Sequence, residues 1–257
     1  SVSVGPDENG FYMRSILEKR GVQTCFIREK PEYQTGTALV IVDDRGERHI
    51  FSVIGAYSFH DRSDAPELSD PKLSDLKALS IASLFDMKLF EEKGMTDYLK
   101  EAKERNILTF ADLASDKEKK GLDGIKEFLP YLDYFLPSIY DAVEMTGKNT
   151  PEEAAQVYLE LGAGAVIIKC GANGCYYRNA DISGYVPAIP VKTVDTTGAG
   201  DAMVAMFIHE ILSGRTISEA CHRACAGASY TTTFTGASSE LITKEDLEAW
   251  IRRCFTD

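Results

Sequence analysis

Ala165-Val166-Ile167-Ile168-Lys169 leads through Cys170 into Gly171-Ala172-Asn173-Gly174. Five residues of unbroken apolar character ending at a glycine turn describe a strand buried on both faces, as in a parallel sheet covered on each side. Working outward, the chain keeps alternating. Pro151 to Leu161 reads as a helix, with proline where a first turn tolerates it. Strand patterns recur at Ala78 to Ala82, Ile107 to Ala111 and Tyr134 to Pro137. Helical patterns recur at Gly10 to Lys19, Met95 to Glu104, Leu122 to Phe128, Ala202 to Leu212, Ile217 to Tyr230 and Lys244 to Cys254. Strand and helix in turn indicate a layered α/β fold around a mainly parallel sheet. One interruption stands out. Thr37 to Val42 and His49 to Ile54 flank the turn residues Asp43-Asp44-Arg45-Gly46-Glu47, which predicts a hairpin set apart from the main sheet.

Composition narrows the function. The 257 residues suffice for a sizeable core, and 44% hydrophobic with 26% charged residues is ordinary for a globular chain. Forty acidic against 28 basic side chains leave a net charge of −12, so nucleic acid would be repelled. No apolar run is long enough to span a bilayer, and the first ten residues lack the pattern of a signal peptide. The expected setting is cytoplasmic. Six cysteines lie scattered with no C-x-x-C pair, which argues against a disulfide framework and against thiolate-bound zinc, even though Cys221 and Cys225 are one helical turn apart. Met203 and Met206 read as core fillers, Tyr176 and Tyr177 as packing aromatics, and the charges between Asp61 and Asp75 as a solvated face.

The chemistry concentrates in Asp195-Thr196-Thr197-Gly198-Ala199-Gly200-Asp201, which runs straight into the apolar segment Ala202 to Ile208. A helix start offers N–H groups without intrahelical partners and the positive end of a dipole. Gly198, Ala199 and Gly200 add almost no bulk, so a phosphate can approach their amides. Asp201 beside them is placed to take a proton from a hydroxyl. An isolated G-A-G-D more often means a tight turn with a capping aspartate. The acidic and hydroxyl residues before the glycines, and the preceding parallel strands whose carboxyl ends collect ligands, favour the phosphate reading. Neither a dinucleotide fingerprint nor a P-loop is present.

At these residues the chain resembles the ribokinase-like (PfkB) family of carbohydrate and nucleoside kinases. Asp195 to Asp201 matches the family's D-T-x-G-A-G-D at every fixed position. Val4-Gly5-x-Asp7-x-x-Gly10 looks like its V-G-x-D-x-x-G, and Lys169-x-Gly171 stands where T-x-G is usual. Ser138-Ile139-Tyr140-Asp141 stands where N-x-x-E is usual, ahead of Thr146-Gly147. The resemblance implies a single kinase domain over 1–257: a three-layer αβα sandwich with a small β lid at about 24–56. It implies an ATP-dependent transfer to a hydroxyl of a small sugar. In that picture Asp201 is the catalytic base, and Gly198, Ala199 and Gly200 form the anion hole. Lys169, Gly171, Ser138 and Thr196 lie near ATP, and Asp141 holds Mg2+ through water. Asp195, Thr197 and Gly236 occupy positions where relatives bind a monovalent cation such as K+. Pairing of two copies through the lid is a further expectation.

The departures are specific. Ser138 replaces Asn, Asp141 replaces Glu, Lys169 replaces Thr, and Phe110-Ala111-Asp112-Leu113-Ala114 lacks the Asn of F-D-x-N. The family's first strand and its G-G-x-x-x-N segment, which carry sugar-binding groups, would precede Ser1 and are absent from the sequence. A nucleoside kinase, or a sugar- or nucleotide-binding regulator without turnover, are the alternative readings.

Overall fold

A computed structural model describes residues 1–42, 48–237 and 242–255. The chain divides into two compact units, Ser1–Asp75 with Ser83–Glu101, and Leu76–Ala82 with Ala102–Asp257.

In the first unit, β1 (Val2–Val4) pairs in parallel with β2 (Ile27–Glu29), and α1 (Glu8–Lys19) lies between them in sequence. The helix begins two residues earlier than its apolar pattern suggests because Asp7 caps it, accepting from the Gly10 N–H at 2.9 Å. The same carboxylate accepts from the Thr35 N–H and hydroxyl, both at 2.7 Å. One side chain thus joins the start of α1 to the start of β3 (Thr35–Val42). These hydrogen bonds to the ionised form hold the Asp7 carboxyl below its usual range. β3 pairs antiparallel with β4 (Arg48–Gly55), as the sequence indicates, and the turn at 43–47 lies outside the described residues. Leu39 faces Phe51 and Thr37 faces Val53 across the ladder, so these side chains share one surface with Ile41. Leu39, Ile41, Phe51 and Val53 are all largely exposed. The charged stretch after the hairpin is not wholly solvated: Asp64 is buried and pairs with Lys30 at 2.6 Å.

The second unit is built on a sheet of order β10-β9-β8-β7-β6-β5. Its strands are β5 (Ala78–Leu84), β6 (Leu108–Leu113), β7 (Tyr134–Phe135), β8 (Ala165–Lys169), β9 (Cys175–Asn179) and β10 (Ser183–Val186). Pairing is parallel through β6, β7 and β8 and antiparallel at β9 and β10. The two short helices that follow β5, α2 (Lys88–Glu92) and most of α3 (Met95–Glu104), belong to the first unit. After β7 come α4 (Ile139–Thr146) and α5 (Pro151–Glu160), and after β10 come α6 (Ala199–Leu212), α7 (Ile217–Thr231) and α8 (Lys244–Phe255). The segment Leu122 to Phe128, expected as a helix, forms only 3₁₀ turns at Gly121–Gly124 and Leu129–Tyr131. Gly121, Gly124 and Pro130 leave too few residues to offset the cost of helix nucleation.

Alternation along β8 explains the layers. Ala165 and Ile167 join Phe110, Leu136, Met203, Phe207, Cys221 and Cys225 in one core against α6 and α7. Val166 and Ile168, also fully buried, face the other way, where Phe135 meets Tyr158 of α5 edge-on at 4.9 Å. Both faces are covered, as the unbroken apolar run requires. Met203 is a core residue and Tyr176 is buried, in keeping with the packing readings. Cys175 and Cys225 touch within that core at 3.6 Å between sulfurs. Among the described residues no three His, Cys, Asp or Glu side chains converge as a metal site, and no helix is long and apolar enough to cross a membrane.

The glycine turn after β8 supplies a contrast. Gly171 has φ +58° and Gly174 φ +85°, yet a Cβ at Gly171 meets nothing within 4 Å, whereas one at Gly174 falls 1.9 Å from the Val186 carbonyl oxygen. Gly174→Ala is therefore expected to cost roughly 3 kcal/mol or more, because left-handed strain adds to a backbone clash. Gly171→Ala is expected to cost only about 1–2 kcal/mol. Urea unfolding of the two variants checks the difference; equal losses would remove the β10 contact from the account.

Candidate active site

The residues expected to carry the chemistry lie at the carboxyl ends of β7 and β8, around the amino end of α6 and at Gly236. α6 starts at Ala199, three residues before the apolar pattern does, with Gly198 as its N-cap in the left-handed region, φ +79°. Only glycine fits there without strain, and a Cβ would also lie 2.9 Å from the Ala237 Cβ. No side chain caps this helix. The Ala199 N–H is spent on the Thr196 carbonyl at 3.2 Å. Gly200 and Asp201 sit in the first turn, where N–H groups have no intrahelical acceptor, and both residues are exposed. Asp201 is thus not the helix cap that the commonplace reading of G-A-G-D would make it. Its carboxylate stands beside open first-turn amides and reaches solvent.

Asp195 organises the approach to this turn. Its Oδ1 accepts from the Thr197 N–H at 2.9 Å and hydroxyl at 2.7 Å, and its Oδ2 accepts from the Gly236 N–H at 2.9 Å. The Asp195 carboxylate therefore ties together the three residues expected at a monovalent-cation position. They offer carboxylate, hydroxyl and carbonyl oxygens, the donor class that a hard cation takes. Thr196 is exposed and contributes its carbonyl to the bond with Ala199.

Ser138 and Asp141 form a second pair. Ser138 is the N-cap of α4, accepting from the Asp141 N–H at 3.2 Å, and its hydroxyl donates to Asp141 Oδ2 at 2.5 Å. That occupies one carboxylate oxygen of a half-buried side chain and leaves the other for a ligand. Mg2+ commonly keeps several waters and rests on one or two carboxylates plus phosphates, so a lone Asp141 fits it. Ser138 serves as a cap here, which weakens its assignment to the nucleotide. It also bridges in parallel to Lys169, whose N–H donates to the Pro137 carbonyl at 2.9 Å, so the ends of β7 and β8 are locked side by side.

Lys169 has a partner that sequence reading passed over. Its Nζ is in close ion-pair contact with Asp112 Oδ2, from the end of β6, and both side chains are mostly buried. Burial pushes the Asp112 carboxyl up, Lys169 pulls it down, and nearby Asp201 pushes it up again; the net direction is up. Lys169 also lies against α6: a Cβ at Gly200 would meet its Nζ at 3.8 Å. The signal for Asp112 was its place at the carboxyl end of a parallel strand. Gly171, by contrast, is exposed just past Lys169 with open space around it.

Known proteins resemble the chain over most of its length. The description "pfkB family carbohydrate kinase" matches residues 1–244. An uncharacterized sugar kinase of Archaeoglobus fulgidus is 28% identical over 227 residues, 84% of this chain and 83% of that one. An ATP-dependent 6-phosphofructokinase of Thermoanaerobacterium thermosaccharolyticum is 25% identical over 93% of this chain and 74% of its own length. Among solved structures, ribokinase from Thermotoga maritima superposes with a TM-score of 0.78 at 28% identity, covering 97% of this chain and 80% of its own. An E. coli protein assigned as a ribokinase II, solved with ATP and Mg2+, gives 0.83 at 25% identity, covering 98% and 82%. With the family match over residues 1–244 and the shared fold, the chain belongs to the pfkB family of carbohydrate kinases and is an ATP-dependent sugar kinase.

Proposed function

We propose that the chain moves the γ-phosphoryl group of ATP to a hydroxyl of a small sugar, with Asp201 as general base. The observation that carries this is the exposed Asp201 carboxylate, without a hydrogen-bond partner among the described residues, in the first turn of a helix with no side-chain cap. The sugar hydroxyl gives its proton to Asp201 as its oxygen attacks phosphorus in line with the leaving ADP oxygen. The open amides of the turn, chiefly those of Gly200 and Asp201 with the Gly198 turn shaping the approach, and the positive end of the α6 dipole stabilise charge on the phosphoryl oxygens. Lys169 and Gly171 face the nucleotide, and Thr196 and Ser138 border it. Asp141 would hold Mg2+ through water; when bound, that ion neutralises charge across the phosphates. Asp195, Thr197 and Gly236 would hold K+, fixing the turn's shape.

The test is turnover on a panel of sugars and nucleosides with ATP and Mg2+, read by product mass. One phosphate added to one or a few sugars is expected. Phosphorylation of nucleosides alone would reassign the acceptor, and heat of sugar binding with no product would overturn the kinase mechanism in favour of a regulator. Exchanging Na+ for K+ in the same assay is expected to raise the rate several-fold; equal rates would remove the monovalent cation.

Two further assignments go with this reading. The exposed apolar face of the hairpin, Leu39, Ile41, Phe51 and Val53, supports pairing with a second copy of the chain. Sedimentation would detect the dimer, and Phe51→Glu should dissolve it. A cytoplasmic setting is in keeping with six free cysteines.

A further inference from the structure

The pair between Lys169 and Asp112 is expensive to keep for stability alone. Both side chains are mostly buried, at 12% and 14% exposure, and ion pairs taken out of water recover little or nothing net relative to apolar packing. It is also oddly placed for a structural element. Lys169 ends β8, Asp112 ends β6, and the ammonium lies against the first turn of α6, within 3.8 Å of where a side chain at residue 200 would begin. Asp112 and Asp201 are near enough to influence one another and bring two negative charges to a place that must receive a polyanion, and Lys169 is the cation paired with Asp112 beside the α6 turn. A lysine is suited to exchange partners there, since its ammonium sits on a flexible four-carbon stem and can pass between acceptors.

Resting on the kinase reading above, we propose that Lys169 is a catalytic cation for the phosphoryl group in transfer, and that Asp112 is the positioning residue that holds its ammonium beside the α6 turn until the phosphates arrive. The ammonium then turns from Asp112 Oδ2 toward a phosphoryl oxygen, where negative charge is carried through the transition state. It stays protonated throughout. The bond between the γ-phosphorus and its bridging oxygen breaks, the bond from the sugar oxygen to phosphorus forms, and the sugar proton goes to Asp201. Gly200 lies next to the same ammonium, which a Cβ at that position would meet at 3.8 Å.

The experiment compares wild type, Lys169→Met, Lys169→Arg and the double variant Asp112→Asn/Lys169→Met, which leaves no buried charge unpaired. In Lys169→Met, kcat with the best acceptor is expected to fall about 10²–10³-fold, the loss seen when one donor to a developing oxyanion is removed. Affinity for Mg·ADP should change little. The extra thermal stabilisation that wild type gains from Mg·ADP with aluminium fluoride and sugar, a mimic of the phosphoryl in flight, should disappear. Lys169→Arg should recover part of kcat, and the double variant should recover the melting temperature but not the rate. The inference is overturned if the double variant turns over like wild type, or if Lys169→Met weakens Mg·ADP as much as the aluminium fluoride complex. A wild type that phosphorylates no acceptor sinks the kinase reading itself; an active wild type matched by Lys169→Met sinks this inference alone.

Discussion

Asp201→Asn is expected to lower kcat by about 10²–10⁴-fold, the range that a positioned general base contributes. The change is nearly isosteric and falls on an exposed side chain that caps no helix, so folding stability should move by no more than about 0.5 kcal/mol. Mg·ADP affinity should also survive, because the amides of the turn remain and one negative charge near the phosphates is removed. The diagnostic pattern is a collapsed kcat with sugar and nucleotide binding intact. Comparable sugar phosphorylation by both forms would take Asp201 out of the mechanism. Loss of nucleotide binding along with rate would instead mean that this carboxylate helps to build the phosphate site, and that the proton leaves by another route.

Much of this was legible before any coordinates. The run Ala165 to Lys169 announced a strand covered on both faces, and the two-sided core around β8 is the physical consequence. The glycine turn before α6 suggests an anion site only together with the acidic and hydroxyl residues before it and the parallel strands that precede it. What escaped was set by contacts distant in sequence. Asp112 and Lys169 are 57 residues apart, and nothing in either neighbourhood reveals that strand ends at β6 and β8 bring them together. The capping of α1 by Asp7 and of α4 by Ser138 was local, yet it was hidden behind motif readings that gave those residues other work. Ala199 shows a further contact that the motif does not reveal: its N–H donates to the Thr196 carbonyl three residues back. The 3₁₀ turns near Gly121 were misread for a simpler reason: seven residues of amphipathic pattern bounded by glycine and proline do not make a stable helix.

The second large effect concerns the far end of the same helix. Glu210 sits near the carboxyl end of α6 with its side chain only 2% exposed. Its Oε2 accepts from Arg215 Nε at 2.6 Å, and its Oε1 faces Arg223 Nε of α7 at 2.8 Å, a close charge contact outside hydrogen-bonding alignment. Arg223 in turn donates to Glu248 of α8 at 2.5 Å, which draws the Glu248 carboxyl below its usual range. Glu210→Ala strands Arg223 in a mostly buried place with its remaining partner on one side only. Breaking a buried pair at one end costs about 3–5 kcal/mol. In a chain of this size that corresponds to a melting temperature lower by roughly 6–20 °C. Glu248→Gln, at a more exposed side chain (28%), should cost about 1 kcal/mol or less. Glu210→Leu combined with Arg223→Leu should recover much of the loss, since apolar packing replaces both charges. Thermal melts of the four proteins decide the matter. A Glu210→Ala variant no less stable than Glu248→Gln would show that the cluster is surface decoration. The functional consequence follows from the helix itself: α6 presents Gly200 and Asp201 at one end and is tied to α7 and α8 at the other. Below its melting temperature, Glu210→Ala should therefore retain kcat, whereas Asp201→Asn should lose it at every temperature.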